Sequence, residues 1–372
     1  MFDQNKSLRE LNSFRVQAFC RSYFGFERED ELVSFICENE ELLKDFFILG
    51  GGTNTLFVED FNGLVIHPRG SLIKVIKESA SHIYVRAEAG CQWDDLVHYS
   101  VNRGFKGVEN LTLIPGNVGA SPIQNIGAYG AEVSEVIHEV RCFDLEAKSF
   151  VILNNAQCEF SYRSSVFKRK KNLIVTSVVF RLEKMNWLGI KASGRSWMEV
   201  FLESMYLARL AIKSVRIGPT TSWRIRMHFD HVRDVLNSYL LPIRLKRSMV
   251  KFIRTKTMRH PDEIGTVGCF FKSPILDANV ADRLLKEFPG LISYEEGSGG
   301  IKVSGGQLIQ ESGAVSLNTE NIYIEERRPL VILHSGQSSG RDIYLFAEEI
   351  VEKVVSKFDV RIEPEVVIVE KR

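Results

Sequence analysis

Cysteine is scarce in this chain, six in 372 residues, and none stands in a Cys-x-x-Cys pair. That scatter (Cys20, Cys37, Cys91, Cys142, Cys158, Cys269) excludes a disulfide framework and reads as reduced thiols of a cytoplasmic protein. No run of 18 uninterrupted apolar residues exists, which excludes a membrane-spanning helix. The opening residues, MFDQNKSLRELNSF, lack the apolar run of a secretory signal. Internal repeats and low-complexity tracts are absent as well. What is present is ordinary for a globular protein: 44% hydrophobic and 26% charged residues, enough for a sizeable core and more than one domain.

Net charge is nearly absent too, at +1, but it is unevenly spread. Arg163 to Arg259 holds 22 Lys/Arg against 5 Asp/Glu, and the rest of the chain holds 26 against 42. A basic middle on an acidic frame points to a polyanion, whether nucleic acid, membrane phosphate or nucleotide diphosphate, or else to a solvated basic face with no partner. His228 and His231 have metal-like spacing, with only Asp230 and Asp234 nearby, so no metal site is expected.

Periodicity predicts helices over DELVSFICENEELLKDF and CQWDDLVHYSVNRGF, the latter with Trp93, Leu96, Val97 and Val101 on one side and Gly104 as its stop. Apolar strands are expected at FFILGG, GLVIH and HIYVRAEAG, then at VIHEVRCFDL, SFVIL and NLIVTSVVFRLE. After a tryptophan- and arginine-rich stretch from Lys184 to Met227, helices are predicted at VRDVLNSYL, RLKRSMVKFIRTK, ANVADRLLKEFPG and RDIYLFAEEIVEKVVSKF. RIEPEVVIVE reads as a closing strand.

Two glycine-rich loops stand out. ILGGGTNTLF places Gly50, Gly51 and Gly52 after an apolar strand, where backbone N–H groups can approach a phosphate. It matches neither the Rossmann fingerprint nor a Walker loop, and by itself is as consistent with a plain turn. IPGNVGASPIQNIGAYG is seventeen uncharged residues dense in Gly, Pro, Asn, Gln and Ser, a poor match to one helix. Such a loop offers many backbone and amide groups to a large heteroaromatic diphosphate, though an elaborate buried turn would read the same way.

ILGGGTNTLFVEDFNGLVI followed by ENLTLIPGNVGASPIQNIGAYGAEV resembles the flavin-binding half of UDP-N-acetylenolpyruvoylglucosamine reductases, the MurB family. CEFSYRSSVFK, GTVGCFFKSP, IKVSGGQLIQESG and RIEPEVV follow in the family's order, so the resemblance covers residues 8–183 and 229–370. It implies an α+β fold: a two-subdomain flavin domain of the FAD-binding PCMH type, similar to vanillyl-alcohol oxidase, plus a separate α+β substrate-binding domain. The expected parts are 1–71 with the returning strand 360–372, 72–183, a basic insertion at 184–228, and the substrate domain at 229–359.

The same resemblance implies FAD and NADPH as cofactors and a UDP-sugar substrate whose enolpyruvyl double bond is reduced. It implies no nucleic acid, no membrane insertion and a monomer. FAD would be bound by Gly50, Gly51, Gly52, Thr53 and Asn54, and by Pro115, Gly116, Gly119, Ala120, Ser121, Ile123, Gln124, Asn125, Gly127 and Tyr129. Arg163, in Ser161-Tyr162-Arg163, matches the arginine that steadies the charge built up by hydride arrival. Cys269 stands where the family places a proton-donating serine, and a thiol of pKa about 8.5 can fill that role. Glu365 matches the catalytic acid, and on one strand Glu363 would share its face. Tyr162, Phe229, Arg259, Lys272, Ser273 and Glu311 are the substrate-binding candidates; Phe229 lacks the hydroxyl of the family's tyrosine, and Arg15 stands where a glycine is usual.

Three rival readings remain at this level. An FAD-linked oxidase of sugars or lactones would share the fold, but no histidine lies within 50–60 to tether a flavin. A nucleic-acid binder would use Trp187, Trp197 and Trp223 on the basic stretch. An inactive flavin-binding relative would keep the loops and lose turnover.

Overall fold

The computed structural model describes residues 1–184, 242–258, 263–295, 299–325 and 327–370. Phe229, Arg259, the paired histidines and the three tryptophans of the basic stretch lie outside the described residues. The chain divides into two compact units. One comprises Met1, Phe24–Gly51 and Ile66–Thr257; the other comprises Phe2–Tyr23, Gly52–Val65 and Met258–Arg372. The block expected at 1–71 therefore contributes to both units, and the helix Ile243–Thr257 groups with the first.

The first unit is built on a sheet ordered Ser149–Asn154, Ile137–Asp144, Leu173–Lys184, His82–Glu88, Ile73–Glu78, with Phe105–Lys106 added beside Leu173–Lys184. Its central strand, LIVTSVVFRLEK, is apolar along most of its length and is buried from Leu173 through Phe180. The neighbouring strand alternates instead, burying Ile83, Val85 and Ala87 and turning Tyr84 and Arg86 to the other face. Against the apolar face packs the helix Trp93–Asn102, whose Trp93, Leu96, Val97 and Val101 are buried, with Trp93 edge-on to Phe180 at 5.9 Å. Gly104 follows at φ +77, a conformation that ends a helix at little cost to glycine.

In the second unit the helix Gly340–Phe358 buries Ile343, Phe346, Ile350, Val354 and Phe358, the stripe its spacing predicts. Ser339 caps it, accepting from the Asp342 amide while Asp342 accepts from the Ser339 amide. RIEPEVVIVE is not one strand. Glu363–Pro364 pairs antiparallel with Phe271–Lys272, the chain bends at Glu365 and Val366, and Val367–Val369 then runs parallel to Thr55–Phe57. The two halves follow different partners, and Pro364 has no N–H with which to extend the first ladder.

Candidate active site

In the first unit, the strand Phe46–Ile48 delivers Gly50 and Gly51 against the second glycine loop. A Cβ at Gly51 would lie 2.7 Å from Asn117 Oδ1 and 3.0 Å from the Gly116 Cα, so any side chain here would push the two loops apart. Gly116 itself sits at φ +118. Gly119 lies close against Ala89, where a Cβ would come within 2.6 Å, and its amide donates to the Ala89 carbonyl. Asn117 is held from beneath by the Gly90 carbonyl and the Gln92 amide. Among the described residues, the amides of Gly50, Gly51 and Gly116 donate to no other protein group. Uncommitted glycine N–H groups on two uncharged loops fit a dinucleotide diphosphate.

The rest of this loop spends its side chains on itself. Asn125 is buried at φ +46 and its amide bonds Glu132, the Ser161 carbonyl and the Ser134 N–H. Ser121 donates to the Val118 carbonyl, and Ser165 donates to that of Ile123. What these residues leave for a ligand is backbone. Arg163, at φ +51, sends Nη1 to the Asn125 carbonyl and Nη2 to that of Gly127, 3.2 and 3.0 Å away, and lies over the Tyr162 ring. Gly127 pairs with Glu132 in the tight ladder of Gly127–Ala128 with Ala131–Glu132, and Tyr129 lies in the turn between them.

Ala89 and Gly90 also border a cavity of about 370 Å³ lined by Arg28, Glu29, Arg86 and Arg141. Burial alone would raise the Glu29 carboxyl, but hydrogen bonds from Arg141 and Thr176 bring it below the ordinary carboxylate range. Arg86 Nε is buried without a partner among the described residues.

In the second unit, Gly52 (φ +62) and Asn54 join the C-terminal segment: Asn54 Nδ2 donates to the Glu365 carbonyl, and the Asn54 carbonyl accepts from Val367. The Glu365 amide donates to Phe270 at 2.7 Å, which sets Glu365 across the ladder one residue from Cys269. Phe270 and Phe271 are fully buried, Phe270 6.2 Å from Phe14, whereas Cys269 is exposed. Gly268 at φ +76 makes the turn that puts Cys269 outward while its neighbours point in. The expected pairing of two carboxylates does not arise on one strand, since Glu365 lies in the bend and Glu363 is 2.6 Å from Lys272. Ser273 accepts from the Gly305 amide, and the Glu311 carbonyl, at the end of helix Gly305–Glu311, accepts from Lys357.

Residues 22–149 match the FAD binding domain model, and residues 260–369 match that of the UDP-N-acetylenolpyruvoylglucosamine reductase C-terminal domain. A UDP-N-acetylenolpyruvoylglucosamine reductase of Neisseria meningitidis is 33% identical over 96% of this chain and 94% of its own length. That of Flavobacterium johnsoniae is 32% identical over 97% and 98%. The chain belongs to the UDP-N-acetylenolpyruvoylglucosamine reductase family. The crystal structure of the Thermus caldophilus reductase has the same fold, with a TM-score of 0.62 at 18% identity over 100% of this chain and 98% of that one. Arg15, which the resemblance set where a glycine is usual, sits at φ +56, a left-handed backbone that glycine adopts at lower cost than arginine.

The residues that hold the second loop from outside were not found by motif. Asp94, Glu109, Lys246, Arg247 and Arg254 carry no pattern of their own, and Arg247 reaches Asp94 across 153 positions of sequence.

Proposed function

We propose that this reductase converts the enolpyruvyl ether of a UDP-N-acetylglucosamine to UDP-N-acetylmuramate, a precursor of peptidoglycan, as a monomer in the cytoplasm. No helix among the described residues is long and apolar enough to cross a membrane. The observation that carries the reading is the bond from the Glu365 amide to the Phe270 carbonyl, which sets Glu365 next to the exposed Cys269 in a segment tied to Asn54 of the first glycine loop. Bound FAD would supply the hydride chemistry between NADPH and the enolpyruvyl substrate.

The chain's own groups do the rest. Glycine amides of the two loops bind the diphosphate of the cofactor. Arg163 donates to two loop carbonyls, and the guanidinium charge steadies the carboxylate as negative charge develops beside it. The Cys269 thiol gives its proton to the adjacent carbon, with Glu365 orienting the donor. Lys272 and Tyr162 serve the UDP-sugar, as do Phe229, Arg259, Ser273 and Glu311 in the same expectation. The purified protein should be yellow, bleach with NADPH, and recover its colour only on adding the enolpyruvyl UDP-sugar. A colourless protein that takes up no FAD, or recovery with a lactone or oligosaccharide instead, overturns the reading.

A further inference from the structure

Leu113 immediately precedes Ile114-Pro115-Gly116 and has φ +56, a left-handed backbone that costs a leucine where glycine would adopt it freely. Both of its backbone polar groups are held by charged side chains. The Asp94 carboxylate accepts the Leu113 N–H at 2.8 Å, and Arg254 Nε donates to the Leu113 carbonyl at 3.2 Å. Asp94 is in turn gripped by both terminal nitrogens of Arg247, at 2.9 and 2.8 Å, in the fork geometry that fixes direction as well as distance. Arg247 also reaches the Thr112 hydroxyl, and the buried Lys246 stands 3.9 Å from the buried Glu109. Arg254 is 8% exposed, and the Arg247 and Asp94 side chains are 14% and 30% exposed, so the ion pair is part-buried.

We propose that Asp94, Arg247 and Arg254 are positioning residues for cofactor binding. They hold Leu113 in its left-handed turn, and that turn sets where the loop from Pro115 onward presents its amides. The basic character of helix Ile243–Thr257 thus serves an internal purpose: Arg244, Lys246, Arg247 and Arg254 all face the protein's own acids or carbonyls. The inference rests on the flavin reading above and adds residues that touch neither cofactor nor substrate.

The test is FAD affinity of the purified full chain, read by quenching of flavin fluorescence, beside the thermal midpoint of the flavin-free protein. Arg247→Ala should weaken FAD binding about tenfold, equivalent to about 1.4 kcal/mol. Adding Leu113→Gly, which adopts the turn without help, should restore most of that affinity without restoring the thermal midpoint. Weakening that Leu113→Gly does not repair, or an Arg247→Ala affinity within twofold of the parent, overturns the proposal. Should Arg247→Ala fail to fold, Asp94→Asn with and without Leu113→Gly carries the same test, since the amide still accepts the Leu113 N–H but loses the ion pair. A parent chain that binds no FAD contradicts the flavin reading, a result distinct from either outcome of the variants.

Discussion

Four of the six cysteines are buried, and burial pushes their thiols up: Cys20 to about 11, Cys91 and Cys158 to about 12, and Cys142 higher as well. Such thiols are inert, whereas Cys37 and Cys269 are exposed. With Cys37 replaced by serine, one equivalent of iodoacetamide should therefore block flavin reoxidation by substrate, and the UDP-sugar should protect. Cys269→Ala should slow substrate reduction by about 10²- to 10⁴-fold while leaving flavin reduction by NADPH unchanged. Cys269→Ser should regain much of the loss, because a hydroxyl can also donate. Equal activity of the alanine variant would remove Cys269 from the proton step. Arg15 gives a separate test: Arg15→Gly relieves a left-handed non-glycine residue and should raise stability by about 1 kcal/mol in denaturant melts. Its departure from the family glycine was legible in the sequence, but its backbone angle was not.

The two glycine loops were readable as elements because their composition permits little else. Which glycine is needed, and for what, required their neighbours. Gly119 faces the Ala89 Cβ and backbone, neither of which can swing aside. Gly119→Ala should accordingly cost about 1–3 kcal/mol by calorimetry and weaken FAD binding, whereas alanine at the open Gly290 should do neither. An unchanged melting temperature for Gly119→Ala would mean the strand end yields more easily than its packing implies. The amphipathic helices at 93–102 and 340–358 were legible from spacing alone, since each buries one face against its own unit. RIEPEVVIVE was misread as one strand because β-propensity carries no record of a change of partner.

Acid sensitivity belongs to the whole molecule. Burial, with Arg69 adding repulsion, lowers His67 to about 4, and burial likewise lowers His334, which bonds the Phe14 carbonyl and accepts from the Ser338 amide. The folded state resists protonating both rings while the unfolded chain accepts protons near pH 6.5. Their contribution to stability is thus complete above about pH 6.5 and is lost as pH falls toward 4. Thermal midpoints measured between pH 7.5 and 4.5 should decline, and His67→Gln should flatten part of that slope. A His67→Gln variant with the parental slope would exclude His67 from the effect. The charge asymmetry read from the sequence also changes meaning at this scale. Part of the basic stretch is spent internally, as Arg247 on Asp94 and Lys246 beside Glu109.

By itself the sequence determined the periodic elements, the two uncharged loops, and six motifs in an order specific enough to identify the family. Each of these is local: a helix face, a strand or a bend-rich loop is set by residues a few positions apart. Tertiary structure alone decided which partner each backbone amide and carboxylate found. It paired Glu363 with Lys272, set Cys269 outward beside Glu365, and joined Asp94 to Arg247. Those choices depend on contacts between residues far apart in sequence, where hydrogen-bond geometry and burial select among many charged candidates that look alike along the chain.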